Sequence, residues 1–120
     1  MRVRALRGAV TAEADTKEEI VEVTTELLEE MLDRNDVGTD DVVFILFTST
    51  KDLIAEFPAA AVRKLGLSHI PVICARELDV EGALPRTIRA MMLMNSDKAR
   101  EQLRHVYLKE ARQLRTDLPE

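Results

Sequence analysis

The sequence predicts an α+β fold, a mixed sheet of about five strands with one long helix and one or two short ones. β-prone apolar stretches recur at 2–12, 41–50, 69–80 and 84–95. One strongly amphipathic stretch runs from 17 to about 35, and only short helical signals appear elsewhere. A length of 120 residues suits a single domain, 1–120, with a modest core.

The elements follow in chain order. "RVRALRGAVTA" alternates and opens the fold as a strand. Thr16, with Glu19 three residues on, reads as a capping box that starts the long helix. Ile20, Val23, Leu27, Leu28, Met31 and Leu32 then recur at helical spacing above an acidic outer face, until "DVGTD" breaks the pattern. "DVVFILFTST" is a second strand. "FPAAAVRKLGLS" is a short helix, with Pro58 suited to its first turn and Gly66 to its C-terminal cap. "HIPVICARELDV" makes a third strand that the "EGALP" turn ends, and "LPRTIRAMMLMN" makes a fourth. Beyond it the reading is a short helix from Asp97, an extended piece around "RHVYL", and a mobile segment from about 108 to 120.

The second and fourth strands are apolar on both parities, so both faces of the sheet call for burial. One long helix covers one face. Nothing left in the chain covers the other, which points to further copies of the chain and a closed homo-oligomer.

Composition narrows the function. A net charge of −5 argues against nucleic acid, whose phosphates demand a basic field. No apolar run approaches the ~20 residues that span a bilayer, and the N-terminus lacks a secretory core. Cys74 is the single cysteine, which excludes a disulfide framework and a multi-cysteine zinc site and sets the cytoplasm as the expected location. The basic residues are 12 Arg against 5 Lys. A GC-rich genome or a thermostable lineage gives that bias, and so does a need for the planar fork that binds carboxylates.

Arg89 is the anomaly. It interrupts the run Ile88, Ala90, Met91, Met92, Leu93 and Met94, where an unpaired charge costs several kcal/mol. Two readings satisfy it: a functional anion, or an internal salt bridge for which Glu77 is the natural partner. Glu77 is equally readable as a solvated strand-end carboxylate. Arg7, before a Gly8 that permits close backbone approach, reads as a strand-edge charge or a ligand. Tyr107, the only tyrosine, suits a core position or a hydroxyl donor. Cys74 reads as a small hydrophobe without an activating His–Asp pair, and His69 and His105 read as structural. No Gly-rich phosphate loop, Ser–His–Asp pattern or paired-carboxylate motif is present. An enzyme built from these residues runs without cofactor, metal or covalent intermediate.

Five stretches in register, "RALRGAVTAEADT", "STKDLIAEFPAAAVRKLG", "IPVICARELDV", "LPRTIRAMM" and "RHVYLKEARQLRTDL", resemble the monofunctional, trimeric α/β class of chorismate mutase, as distinct from the all-helical class. The resemblance spans nearly the whole chain. It implies a ferredoxin-like, chorismate-mutase-like domain assembling into a trimeric pseudo-α/β barrel with active sites at subunit interfaces. It also implies the Claisen rearrangement of the small-molecule substrate chorismate to prephenate in phenylalanine and tyrosine biosynthesis, without cofactor, nucleic acid or membrane. By the same resemblance Arg89 faces the ether oxygen and an adjacent carboxylate. Arg7 binds carboxylate, Tyr107 donates its hydroxyl, and Glu77 and Cys74 meet the ring-hydroxyl region. Phe57, Ala59 and Leu114 are implied as apolar walls, and Ile73 as a substrate-binding position whose hydrogen bond is absent or made by backbone. Arg63 and Arg115 are implied at the mouth, under a loose C-terminal cover.

The chain departs from relatives at Ala60, often charged there, and at Ile73, polar in some. Its five residues past Arg115 imply a short cover. The alternative function is a non-catalytic trimer that binds small carboxylates on a related fold. A purely structural oligomer with inter-subunit arginine bridges is a third.

Overall fold

The computed structural model describes residues 1–114, so Arg115 and the end of the expected cover lie outside the described residues. In chain order it contains β1 (Arg2–Thr11), α1 (Lys17–Arg34), β2 (Val42–Ser49), α2 (Ala60–Lys64), β3 (Val72–Arg76), β4 (Thr87–Ser96) and β5 (Val106–Tyr107), with 3-10 turns at Thr39–Asp41, Arg100–Gln102 and Lys109–Leu114. The strands form one mixed sheet in the order β3-β2-β4-β1-β5. β4 runs antiparallel to both of its neighbours, β1 and β2, while β3 and β5 join the edges in parallel.

The long helix starts as its sequence requires, the Glu19 amide donating to Thr16 Oγ1 at 3.1 Å. The other half of the expected capping box is spent differently. The Glu19 carboxylate accepts the Glu13 amide at 2.8 Å, tying the helix start back to the β1 exit. The apolar stripe Ile20, Val23, Leu27, Leu28 and Met31 is buried against Leu6, Val10, Ile45, Phe47, Ile88, Met92 and Met94 of the sheet. In β2, Val42 and Ile45 both point inward despite their odd spacing, because a bulge between Val42 and Phe44 resets the alternation.

Gly8 marks the closest approach of helix to sheet. A Cβ placed there would meet the Met31 sulfur at 2.5 Å and the Leu27 Cδ1 at 3.0 Å. The close approach expected beside Arg7 is thus α1 lying on β1.

Two elements differ from the sequence reading. The third strand ends at Arg76 rather than continuing to 80, since its last ladder partner is Ser49, where β2 itself ends. Beyond that point a single bond remains, from the Glu77 amide to the Ser49 carbonyl at 3.0 Å. The helix expected from Asp97 is a single 3-10 turn, Arg100–Gln102. The extended piece around "RHVYL" is a true strand, two residues long, parallel to β1 through Gly8↔Val106 and Ala9↔Tyr107.

Among the described residues no α-helix covers the opposite face of the sheet, and only the 3-10 turn Lys109–Leu114 packs on it, over Ala9. That face presents Val3, Phe44, Leu46, Ile73, Met91 and Leu93, of which Val3 is 59% and Ile73 55% exposed. The uncovered apolar face anticipated from the doubly apolar strands is present.

Replacing Gly8 by Val drives a branched side chain into a packed helix–sheet contact. The expected loss is about 1–3 kcal/mol, read from urea unfolding as a lower midpoint at unchanged slope. An unshifted midpoint contradicts the tight contact.

Candidate active site

The uncovered face also holds the charges. Arg89 on β4 lies opposite Thr48 on β2 and opposite Ala9 on β1, so all three share one side of the pleat. Ala9 in turn pairs with Tyr107 on β5. Arg7, two residues from Ala9 on the same side of β1, stands diagonally across from Arg89. Arg7, Leu46, Thr48, Arg89, Met91 and Tyr107 surround a hollow of about 240 Å³. That is below the ~300–1,000 Å³ of a complete small-molecule pocket.

Arg89 meets Glu77. Its Nε lies 2.8 Å from Glu77 Oε2, so the internal partner foreseen in the sequence is present. The contact lacks hydrogen-bond geometry, and Nε itself is shielded from solvent. The Arg89 side chain as a whole stays 44% exposed, which leaves the rest of the fork open to a further anion. Glu77 is held from other directions, with Thr48 Oγ1 donating to Oε2 at 2.9 Å and the Leu78 amide donating to Oε1 at 3.2 Å. Both earlier readings of Arg89 therefore remain physically compatible, since one carboxylate engages the Nε side and none engages the terminal nitrogens among the described residues.

Arg7 has no side-chain hydrogen bond or ion pair among the described residues, and the buried Tyr107 has no hydroxyl partner among them. Two contacts place Tyr107. The Arg7 amide donates to His105 Nδ1 at 2.9 Å, extending the short β1–β5 ladder. The buried Asn35 at the end of α1 donates to the Arg104 carbonyl at 2.8 Å and accepts its amide at 2.7 Å. Leu114 packs against Tyr107, Ala9 and Ala111.

A second group of expected residues gathers elsewhere. Cys74 belongs to the helix-side parity of β3, opposite in parity to Ile73 and Ala75. Phe57, Pro58, Cys74 and Arg76 line a groove of about 490 Å³ at that sheet edge. Burial pushes the Cys74 thiol above its ordinary value, outweighing the opposite influence of the Ala59 amide and the Arg63 guanidinium beside it. Phe57, Ala59, Arg63 and Cys74 thus form one group, and Arg7, Glu77, Arg89, Tyr107 and Leu114 form another. Ile73 stands apart on the uncovered face. No cluster of metal-ligating side chains occurs among the described residues.

A model of the family described as chorismate mutase type I matches residues 3–118. The chain belongs to this family. It is an isomerase of the chorismate mutase type. The chain is similar to Chorismate mutase AroH of Thermus thermophilus, 46% identical over 97% of this chain and 96% of that one. Chorismate mutase AroH of Bacillus subtilis (strain 168) is 47% identical over 98% of this chain and 94% of its own. Among solved structures, a chorismate mutase from Clostridium thermocellum superposes with a TM-score of 0.90 at 45% identity, covering 91% of this chain and 97% of that one. The α+β mutase fold is thereby common to both.

Sequence reasoning passed over three residues that shape this mutase's surface. Thr48 reads as an ordinary strand residue until the register sets it opposite Arg89. Asp15 Oδ1 accepts the Ile54 and Ala55 amides, each at 2.9 Å. Arg76 Nη1 donates to the Thr50 carbonyl at 2.6 Å and the Leu53 carbonyl at 3.2 Å. Asp15 and Arg76 together fix the segment leading to Phe57. Such contacts depend on distant chain segments and leave no local signal.

The raised Cys74 pKa has a direct consequence, because the thiolate is the form that is alkylated. Iodoacetamide is expected to modify Cys74 more slowly than free cysteine at pH 8, with the rate still climbing above pH 9. A half-rate pH at or below that of free cysteine contradicts this.

Proposed function

We propose that the chain converts chorismate into prephenate by holding the substrate's reactive conformer and stabilising its ether oxygen with Arg89. The reaction is unimolecular: the ether carbon–oxygen bond breaks as a carbon–carbon bond forms, and no atom is gained or lost. No acid, base or nucleophile is required, in keeping with a site made of fixed charges and hydroxyls. The observation that carries the proposal is the Arg89 guanidinium, engaged on one side by Glu77 and open on the other, beside an Arg7 side chain and a Tyr107 hydroxyl that have no partner among the described residues.

A transition state with growing negative charge on the ether oxygen gains more from such a cation than the ground state does. Arg7 and Tyr107 receive carboxylate, which orients the flexible dicarboxylate as a compact chair. Glu77 accepts the ring hydroxyl on the side where the ring turns positive. A simple carboxylate trap has no use for Glu77 at that point, since it weakens anion capture. This disfavors the non-catalytic reading.

The same geometry supports a homotrimer with shared sites. The Arg7–Arg89 hollow opens on the uncovered face, whereas the Phe57–Cys74 group opens at an edge on the other parity of the sheet. Two such groups close on one substrate when they come from neighbouring copies, and that contact buries the apolar face. Arg63 then guards the mouth. The free thiol of Cys74 suits a reducing cytoplasm as the place of action.

Purified protein mixed with chorismate should remove the substrate's absorbance far faster than the spontaneous reaction; equality with the spontaneous rate overturns the assignment. Arg89→Ala is expected to lower kcat by ~10²–10³, with KM changed less. Arg89→Lys should remain poor, because a flexible point charge does not reproduce the fork. A fully active Arg89→Ala removes the electrostatic mechanism. Sedimentation should give the mass of three 13.5 kDa chains, and a stable monomer contradicts the shared site.

A further inference from the structure

We infer that Thr48 is a positioning residue for the rearrangement: its hydroxyl fixes the Glu77 carboxylate against which the Arg89 guanidinium is set. This rests on the reading of Arg89 and Glu77 given above and extends it to a residue outside the expected set.

The argument begins with register. Thr48 is paired directly with Arg89 across β2 and β4, so both side chains rise from the same spot on the uncovered face. The Thr48 hydroxyl donates to Glu77 Oε2 at 2.9 Å, and the same oxygen lies 2.8 Å from Arg89 Nε. One carboxylate oxygen therefore joins the two.

Glu77 needs such a tether. It follows Arg76, the last residue of β3 in the ladder, and its amide makes one more bond, to the Ser49 carbonyl at 3.0 Å. Its other oxygen is turned to the amide of the next residue, Leu78, a local contact that does not hold the side chain toward the hollow. The Arg89 ion pair fixes how close the two charges sit, but without hydrogen-bond alignment it leaves the rotation of the carboxylate open. The Thr48 hydroxyl is thus the aligned, long-range bond on this carboxylate among the described residues.

Threonine suits the place for two reasons. Its β-branched stem fits a strand, and its hydroxyl, on a single torsion, is directed with little freedom. Valine keeps the shape and removes the donor. Serine keeps the donor and removes the branch. Without the hydroxyl, Glu77 is released, Arg89 loses the carboxylate that sets its fork, and the terminal nitrogens no longer meet the ether oxygen in register. Small misplacements of catalytic groups cost up to about 10²-fold in rate.

The test compares Thr48→Val and Thr48→Ser in the full-length protein, each also placed on a Glu77→Ala background. Thr48→Val is expected to lower kcat by about 10- to 100-fold with KM within a few-fold, while Thr48→Ser keeps most of the turnover. On the Glu77→Ala background, Thr48→Val is expected to add no further loss, since there is no carboxylate left to position. Wild-type kcat in Thr48→Val overturns the inference, and so does a loss repeated in full on Glu77→Ala. If Thr48→Val folds poorly, Thr48→Ala is judged by the same two comparisons. Failure of this inference alone shows as an active wild type, a crippled Arg89→Ala and an unaffected Thr48→Val. A wild type no faster than the spontaneous reaction removes the underlying reading, and this inference with it.

Discussion

A guanidinium rooted in the middle strand of an apolar sheet must keep a wet face or meet an anion, and much of the site is arranged around how incompletely Glu77 answers it. β4 lies between β2 and β1, so Arg89 is flanked by neighbours on both sides and its stem has little freedom. A half-exposed ion pair of this kind contributes at most about 1 kcal/mol to stability. Its physical consequence is orientation. The Nε side is turned to Glu77, and the charge that remains faces a hollow to which no other described residue brings an anion. Fixed charge in a partly dry recess acts on charge that develops during a reaction without reorganising first.

The remaining scaffold holds this geometry from several directions. α1 lies hard on β1 because Gly8 leaves room for Met31 and Leu27. The same helix ends in Asn35, which grips both backbone groups of Arg104 and delivers the strand that carries Tyr107. At the opposite edge, Asp15 and Arg76 hold the turn after β2 by its backbone amides and carbonyls, so the wall ahead of α2 is fixed before any ligand arrives. Asp52 ties the segment after β2 to the entry of β4, its carboxylate accepting the Thr50 hydroxyl and the Arg86 amide. Burial there opposes ionisation, and the hydrogen bonds outweigh it, leaving its pKa lowered. Rigid elements thereby carry charges that a solvated surface would leave loose.

Much of this was legible in the chain because it is local. The Thr16 start, the stripe from Ile20 to Met31 and the doubly apolar strands follow from side-chain periodicity, and the uncovered face follows from counting helices against faces. Arg89 stood out because a charge in such a strand has few solutions. Glu77 could be named as its partner, but not chosen over a ligand, because the choice depends on register across three strands. Thr48 was invisible for the same reason. The third strand was read too long, since apolar residues such as Leu78 and Val80 continue the pattern past the point where β2 stops offering a ladder. The division of the expected residues into two groups was hidden as well, because strand parity at Cys74 has meaning only once β3 is seen to be an edge.

The claim on which the account depends is that the open side of Arg89 is aimed at the ether oxygen as it becomes anionic. A crystal structure of the protein with a bicyclic dicarboxylate mimic of the rearranging geometry tests it most directly. The account predicts an Arg89 terminal nitrogen within hydrogen-bond distance of the bridging oxygen, Arg7 and Tyr107 on carboxylates, and a wall contributed by a neighbouring copy. A mimic bound with Arg89 turned away from that oxygen contradicts it.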